Sequence, residues 1–152
     1  MTMTHQYDLI VQNVRVVRPN TDTVDTMDIA IKDGKFLKIA GSINSEGSKE
    51  INAKGKYLMP GIIDDQVHFR EPGYMHKANI QSESRAAVIG GVTSFMEMPN
   101  TNPTSTTQEE LEKKYITASE VSPANYSFFM GASNNNLDEV LRTDRQRVCG
   151  VK

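Results

Sequence analysis

The sequence predicts an α/β protein, in which a small β module precedes the first strands and helices of a parallel (β/α)8 barrel. Up to Pro60, short stretches of alternating apolar and polar residues are separated by turn signals. After Pro60, apolar strands alternate with amphipathic helices, which favours a parallel sheet with right-handed crossovers. Three and a half strand-helix units cannot close an eight-stranded barrel of roughly 250 residues. We therefore expect a β-sandwich module over residues 1–60 and an incomplete, truncated barrel over residues 61–152.

The β module is predicted from its alternation of apolar and polar residues and from one turn. Asp33-Gly34 is a strong signal for a tight hairpin between two strands. The predicted elements are a strand over 7–18, two strands within 28–40, a polar loop over 41–50 and one short strand within 50–60.

The barrel part begins with "GIIDDQVHF", whose nearly continuous apolar residues are typical of a strand buried on both faces. The next helix should bury Ile80, Ala87 and Val88 and end at Gly90-Gly91. A capping box of Thr106 and Glu109 should open the second helix. The predicted strands are 61–69, 92–99, 125–132 and 147–152, and the predicted helices are 76–91, 106–121 and 135–143.

Composition excludes several classes of function. The 152 residues carry 17 Lys and Arg against 19 Asp and Glu, with no basic stretch, so nucleic acid and anionic membranes are poor partners. No signal peptide or membrane-spanning apolar run is present. The single cysteine, Cys149, cannot form an internal disulfide, which fits the cytoplasm. We expect a small-molecule substrate; a homo-oligomer is compatible with the sequence, which does not determine the oligomeric state.

Polar residues collect where the predicted parallel strands end, which is where such sheets bind ligands. Asp64, Gln66, His68 and Arg70 share one parity along the first strand, and Glu97 with Asn100 ends the second. Met130 ends the third strand and Lys152 the fourth. A carboxylate, an amide, an imidazole and a guanidinium on one strand face predict a metal or substrate site rather than packing.

Taken singly, each of these residues also has a structural interpretation. A lone His68 at a strand end is more often hydrogen-bonded than metal-bound, and Arg70 could pair with a surface carboxylate. "MPNTNPTST" has the composition of an ordinary Pro- and Asn-rich turn.

Two motifs in combination decide between these interpretations. "PGIIDDQVHFREPG" followed by "ESRAAVIGGVTSFMEMPNTNPTST" resembles the front end of a dihydroorotase, a member of the cyclic amidohydrolase superfamily. The resemblance covers essentially the whole chain. An allantoinase or hydantoinase is expected to differ at the Arg of "FREPG" and at the Asn of "MPNTNP".

The resemblance implies roles for five residues. The first barrel strand of such enzymes reads Asp-x-His-x-His, and both histidines bind one metal of a zinc pair. His68 matches the second histidine, whereas Gln66 replaces the first. Arg70 and Asn100 correspond to the residues that hold the substrate carboxylate, and Lys152 to a carboxylated lysine that bridges the two metals. The later histidines and the catalytic aspartate would lie beyond this sequence.

The implied activity is the reversible cyclisation of N-carbamoyl-L-aspartate to (S)-dihydroorotate in pyrimidine biosynthesis, with zinc as cofactor. Because a glutamine oxygen is a poorer zinc donor than an imidazole nitrogen, we expect one tight zinc site and a second that is weak or empty. Two alternatives stay open. One is another cyclic amidohydrolase acting on allantoin or a hydantoin; the other is a catalytically dead relative with a structural role, which Gln66 favours.

Overall fold

The computed structural model describes residues 6–44 and 49–152. The chain divides into two compact units, Met1–Pro60 and Gly61–Lys152. Residues 45–48, inside the predicted polar loop, lie outside the described residues.

The first unit is a mixed five-stranded sheet. Asp33 and Gly34 have φ angles of 50° and 71°, which confirms the predicted hairpin, because its turn needs two left-handed residues. The strands run in the order β3-β2-β1-β4, with β5 also paired to β1. They are β1 (Leu9–Val17), β2 (Val24–Lys32), β3 (Lys35–Ala40), β4 (Lys49–Asn52) and β5 (Tyr57–Leu58).

The β-sandwich prediction is wrong for the described residues, which form one sheet in this unit. The nine residues of β1 are enough to pair with two short strands along the same edge, so these strands extend one sheet instead of forming a second. β4 pairs in parallel with the first half of β1, and β5 pairs in parallel near its end. Residues 50–60, predicted to hold one strand, therefore contribute to two. Adjacent Ile29 and Ala30 are both buried in separate clusters, so both faces of the sheet carry apolar residues.

The second unit confirms the predicted alternation of strands and helices. Its four strands are all parallel and lie in sequence order, β6-β7-β8-β9. The strands are β6 (Ile62–Val67), β7 (Val92–Glu97), β8 (Asn125–Met130) and β9 (Val148–Val151), and the helices are α1 (Ile80–Ile89), α2 (Gln108–Val121) and α3 (Leu137–Leu141).

The apolar core of this unit is formed by aromatic residues of the strands and aliphatic residues of the helices. Phe95 of β7 and Phe128 of β8 are fully buried and belong to one cluster with Ile80 of α1 and Leu111 of α2. This core fixes the strands, so that their carboxyl ends lie along one edge of the sheet.

Two predicted details of the helices are wrong. Val88 is 40% exposed, because a residue eight positions after the buried Ile80 is rotated about 80° from it, whereas Ala87, at seven positions, is half-buried. The N-cap of α2 is Thr107, whose hydroxyl accepts a hydrogen bond from the Glu110 N–H at 3.2 Å. Thr106 belongs to the preceding turn, since its N–H donates to the Thr104 carbonyl at 2.8 Å.

Candidate functional site

The first strand of the second unit ends before two of the predicted site residues. β6 ends at Val67, so His68 and Arg70 lie in the connection to α1. The alternation of side chains along a strand therefore does not determine the direction in which Arg70 points. Arg70 adopts a left-handed conformation with φ of 69°, which non-glycine residues rarely adopt. Its carbonyl accepts a hydrogen bond from the Tyr74 N–H at 2.9 Å. A tight turn, rather than an extended strand, therefore presents Arg70.

Arg70 and Asn100 line the same cavity, of about 410 Å³. The other lining residues are Tyr74, Lys77, Thr101 and Thr104. This lining contains two cationic side chains and no carboxylate, together with amide and hydroxyl groups that can donate hydrogen bonds. Such a cavity favours an anionic ligand, and a planar guanidinium can bind a carboxylate through two parallel bonds.

Lys152 lines a second cavity, of about 290 Å³, which shares Asn100 and Thr104 with the first. Its Nζ lies 3.2 Å from the Sδ of Met98. The two cavities adjoin at Asn100, so the candidate substrate-binding residues lie beside the residue predicted to bridge two metals.

His68 lies within electrostatic range of both cations. Burial lowers the pKa of the half-buried imidazole, and the positive charges of Arg70 and Lys152 lower it further. The neutral imidazole, which is the form that ligates metals, is thereby favoured. Gln66 is exposed, and its backbone N–H donates to the Oδ1 of Asp64 at 3.1 Å.

The described residues do not by themselves fit a zinc ion. A catalytic zinc takes at least three ligands from Cys, His, Asp or Glu, with water at the remaining position, and no cluster of three such side chains occurs within residues 6–44 and 49–152. His68 is a suitable ligand, but Gln66 is a neutral oxygen donor and an unmodified lysine ammonium repels a cation. A zinc site that includes His68 therefore needs further ligands and a chemical change at Lys152.

Glu97 lines neither of these two cavities, contrary to the prediction from its place at a strand end. It is fully buried in an ion pair with Lys114 of α2. A sequence signal for this pair exists, since Lys114 lies on the same helical face as the core residues Leu111 and Ala118. Tyr74 and Lys77, which line the cavity with Arg70, could not be predicted from the sequence. They lie in the irregular β6–α1 connection, where apolar and polar residues follow no helical or strand periodicity.

Comparison with known proteins identifies the family. The family model described as dihydro-orotase-like matches residues 55–139, which is more than half of the chain. The chain belongs to the dihydro-orotase-like family. The resemblance found in the two sequence motifs is thus confirmed.

The relatives of the chain act on different cyclic compounds, judged by their names. A dihydroorotase of Streptococcus pneumoniae serotype 4 is 41% identical over 104 residues, which is 68% of this chain and 25% of that protein. An allantoinase of Desulfitobacterium hafniense strain Y51 is 37% identical over 98% of this chain and 32% of its own length. The L-hydantoinase (dihydropyrimidinase) structure from Arthrobacter aurescens superposes with a TM-score of 0.84 at 30% identity, over 95% of this chain and 32% of that one.

The chain spans only a quarter to a third of these relatives. All three are cyclic amidohydrolases by name, so this general chemistry belongs to the family, whereas the choice of substrate differs among its members. Among the described helices, none combines the length and the hydrophobicity that a membrane span requires.

Proposed function

We propose that this chain is part of a dihydroorotase, which interconverts N-carbamoyl-L-aspartate and (S)-dihydroorotate in the cytoplasm. In the cyclising direction, an amide bond forms between the carbamoyl nitrogen and the side-chain carboxyl, and water is released. The observation that carries the proposal is that Arg70 and Asn100 line the same cavity, of about 410 Å³. The complete protein would close the four parallel strands into a (β/α)8 barrel, in which this cavity opens at the carboxyl ends of the strands.

The charge of this cavity supports a substrate with a carboxylate. Dihydroorotate carries a carboxylate on its ring, whereas allantoin and unsubstituted hydantoin carry none. Arg70 would bind both carboxylate oxygens, Asn100 would donate a further hydrogen bond, and Lys77 would add a second positive charge. A neutral substrate would leave the half-buried Arg70 guanidinium without the carboxylate that its geometry suits.

The proposal includes zinc in the complete protein. His68 would be one ligand, Lys152 would bridge two metals once its amine is carboxylated, and Gln66 would be a weak donor beside one of them. When bound, zinc would polarise the substrate carbonyl and lower the pKa of a bound water. Within this chain, Arg70 and Asn100 orient the substrate, and neutral His68 remains free to ligate.

An allantoinase is the second candidate, because the allantoinase match extends over 98% of this chain. Assays of the full-length protein with dihydroorotate, allantoin and hydantoin separate the two functions. We expect hydrolysis of dihydroorotate with a kcat/KM at least about 100-fold above that for either neutral ring, since a charged site rejects a ligand that lacks its partner. Preference for allantoin would contradict the proposal.

The catalytically dead relative is tested in the same protein by measuring bound zinc beside activity. Zinc binding without hydrolysis of any of the three rings would favour the dead relative. Hydrolysis of dihydroorotate that is lost with a chelator and restored by zinc would exclude it.

A further inference from the structure

Asn136, at the start of α3, is a buried amide whose hydrogen-bonding groups are all used. The residue is 9% exposed. Its Nδ2 donates to the Thr106 carbonyl and to the Gly131 carbonyl, each at 2.8 Å. Its Oδ1 accepts from the Ser133 N–H at 2.7 Å and from the Ser133 hydroxyl at 3.0 Å. Since a side-chain amide has two N–H donors and two acceptor lone pairs, these four bonds fix the orientation of the Asn136 side chain.

The bonds of Asn136 are not those expected from its place at the end of a helix. Asn136 is the N-cap residue of α3, and an asparagine at this position usually accepts a hydrogen bond from an N–H of the first helical turn. In the described part of the chain, its side chain makes no such bond and contacts two connections outside the helix instead. It thereby joins the β7–α2 connection, which contains Thr106, to the β8–α3 connection, which contains Gly131.

A close backbone approach joins the same two connections a second time. The Gly131 N–H donates to the Ser105 carbonyl at 2.7 Å, and the Ser105 N–H donates to the Pro99 carbonyl at 3.0 Å. A side chain at Gly131 would be crowded, because its Cβ would lie 3.0 Å from the Ser105 carbonyl oxygen and 3.2 Å from the Pro99 Cβ. Pro99 immediately precedes Asn100, so the position of Asn100 depends on how the two connections are held together.

The β8–α3 connection is bonded in turn to the backbone of Lys152. The Ala132 N–H, next in the chain after Gly131, donates to the Lys152 carbonyl at 2.7 Å. Asn100, Lys152 and the two residues whose carbonyls accept from Asn136 all line the cavity of about 290 Å³. Asn136 therefore holds the side of this cavity that contains Asn100 against the side that contains Lys152.

We propose that Asn136 is a positioning residue, which joins the connections after β7 and β8 and thereby sets the position of Asn100 relative to Lys152. That Asn100 then binds the carboxylate of dihydroorotate rests on the function proposed above. The joining of the two connections is a property of the substrate-free protein, so it can be tested independently of any activity.

The test compares Asn136→Asp with Asn134→Asp in the full-length protein. Aspartate has nearly the shape of asparagine and can still accept from the Ser133 N–H, but at position 136 it presents an oxygen instead of an N–H group to two carbonyls. Asn134 is exposed in the same connection, so its variant controls for the added negative charge. Amide hydrogen exchange of the peptides containing Ser105 and Gly131 is measured by mass spectrometry without substrate. Tm and the KM and kcat for dihydroorotate are measured on the same proteins.

We expect both peptides to exchange about tenfold faster in Asn136→Asp, because two hydrogen bonds between the connections are lost, while peptides of α1 keep the wild-type rate. KM for dihydroorotate should rise about tenfold, with a smaller change in kcat, because Asn100 is displaced. Asn134→Asp should match wild type in every measurement. Wild-type exchange of both peptides in Asn136→Asp would overturn the proposal. Faster exchange with an unchanged KM, or exchange that is equally faster in α1, would reduce Asn136 to a structural role and also overturn it.

The outcomes separate the two proposals. If wild type does not hydrolyse dihydroorotate, the proposed function fails, and the exchange comparison still decides whether Asn136 joins the two connections. If Asn136→Asp does not fold, Gly131→Ala replaces it, since the added Cβ pushes against Ser105 and Pro99 without adding a charge. Gly41→Ala is the control, because a Cβ there meets nothing within 4 Å. Unchanged exchange and KM in Gly131→Ala would then overturn the proposal.

Discussion

The candidate site has a carboxylate-binding half and a metal-binding half, and this chain contains more of the residues proposed for the first than for the second. The carboxylate half has its cations and amide in one cavity, where Arg70, Lys77 and Asn100 lie together. The proposed metal half has one conventional candidate ligand, His68, beside an exposed Gln66 and a lysine that would have to be modified before it could ligate. Under the proposed function, the residues of this chain would contribute more to substrate recognition than to metal binding.

This difference shows which property of the protein each residue should control. Substitutions in the carboxylate half should change substrate affinity and leave zinc content intact. Substitutions in the metal half should change zinc content first and substrate affinity only as a consequence. The variants below test this separation in the full-length protein.

Lys152→Ala should have the largest effect. A carboxylated Lys152 would offer an anionic oxygen to each of two metals, and alanine offers none. Because even residues that only support a metal ligand change affinity by 10-fold to 100-fold, we expect zinc affinity to fall by at least about 100-fold. Elemental analysis after dialysis measures bound zinc, and Lys38→Ala, an exposed lysine of β3, is the control. Full zinc content in Lys152→Ala would show that this lysine bridges no metal.

Arg70→Lys should have the next largest effect, and only on substrate. Lysine keeps the charge but cannot form two parallel bonds to a carboxylate, so binding of dihydroorotate should weaken by about 1.5 to 3 kcal/mol. Calorimetric titration measures this affinity, with zinc content determined on the same sample. Arg85→Lys, an exposed substitution on α1, should bind as wild type does. An unchanged affinity in Arg70→Lys would remove Arg70 from the clamp.

Gln66→His should have the smallest effect, and it should increase zinc affinity rather than decrease it. Replacing a neutral oxygen donor by an imidazole should tighten the weaker zinc position by about tenfold, without changing the tighter one. Zinc titration into metal-free protein should show one tight and one weak equivalent in wild type, and two tight equivalents in the variant. Dihydroorotate hydrolysis by wild type should saturate near one zinc per subunit, and two equally tight zincs in wild type would contradict the weak-site prediction.

Much of the fold of the second unit is predictable from sequence, because its strands and helices follow from local patterns. The alternation of strands with helices gives the parallel order. The prediction that the first strand is buried on both faces is wrong for this chain, since Ile62 and Ile63 of β6 are 54% and 62% exposed. Within the described residues the first unit is one sheet rather than the predicted β-sandwich, because strand pairing is not local. Nothing in the pattern of residues 50–60 indicates that both β4 and β5 pair with one edge of β1.

The candidate site divides in the same way. Arg70 and Asn100 were predicted from motifs, and they do line one cavity. The alternation of side chains along the first strand could not predict the direction of the Arg70 side chain, because the left-handed conformation of Arg70 interrupts that alternation. The position of Glu97 was predicted wrongly for a different reason. It shares the orientation of the core residue Phe95, two positions earlier on β7, so it faces α2.

The most direct test of the proposed function is the kcat/KM of the full-length protein for dihydroorotate divided by that for dihydrouracil. The two rings differ only in the carboxylate that Arg70 and Asn100 are proposed to hold. We predict a ratio of at least about 100 in wild type, and a ratio about 10-fold or more lower in Arg70→Lys. A ratio near one, or an equal loss of activity on both rings in the variant, would contradict a carboxylate-binding dihydroorotase.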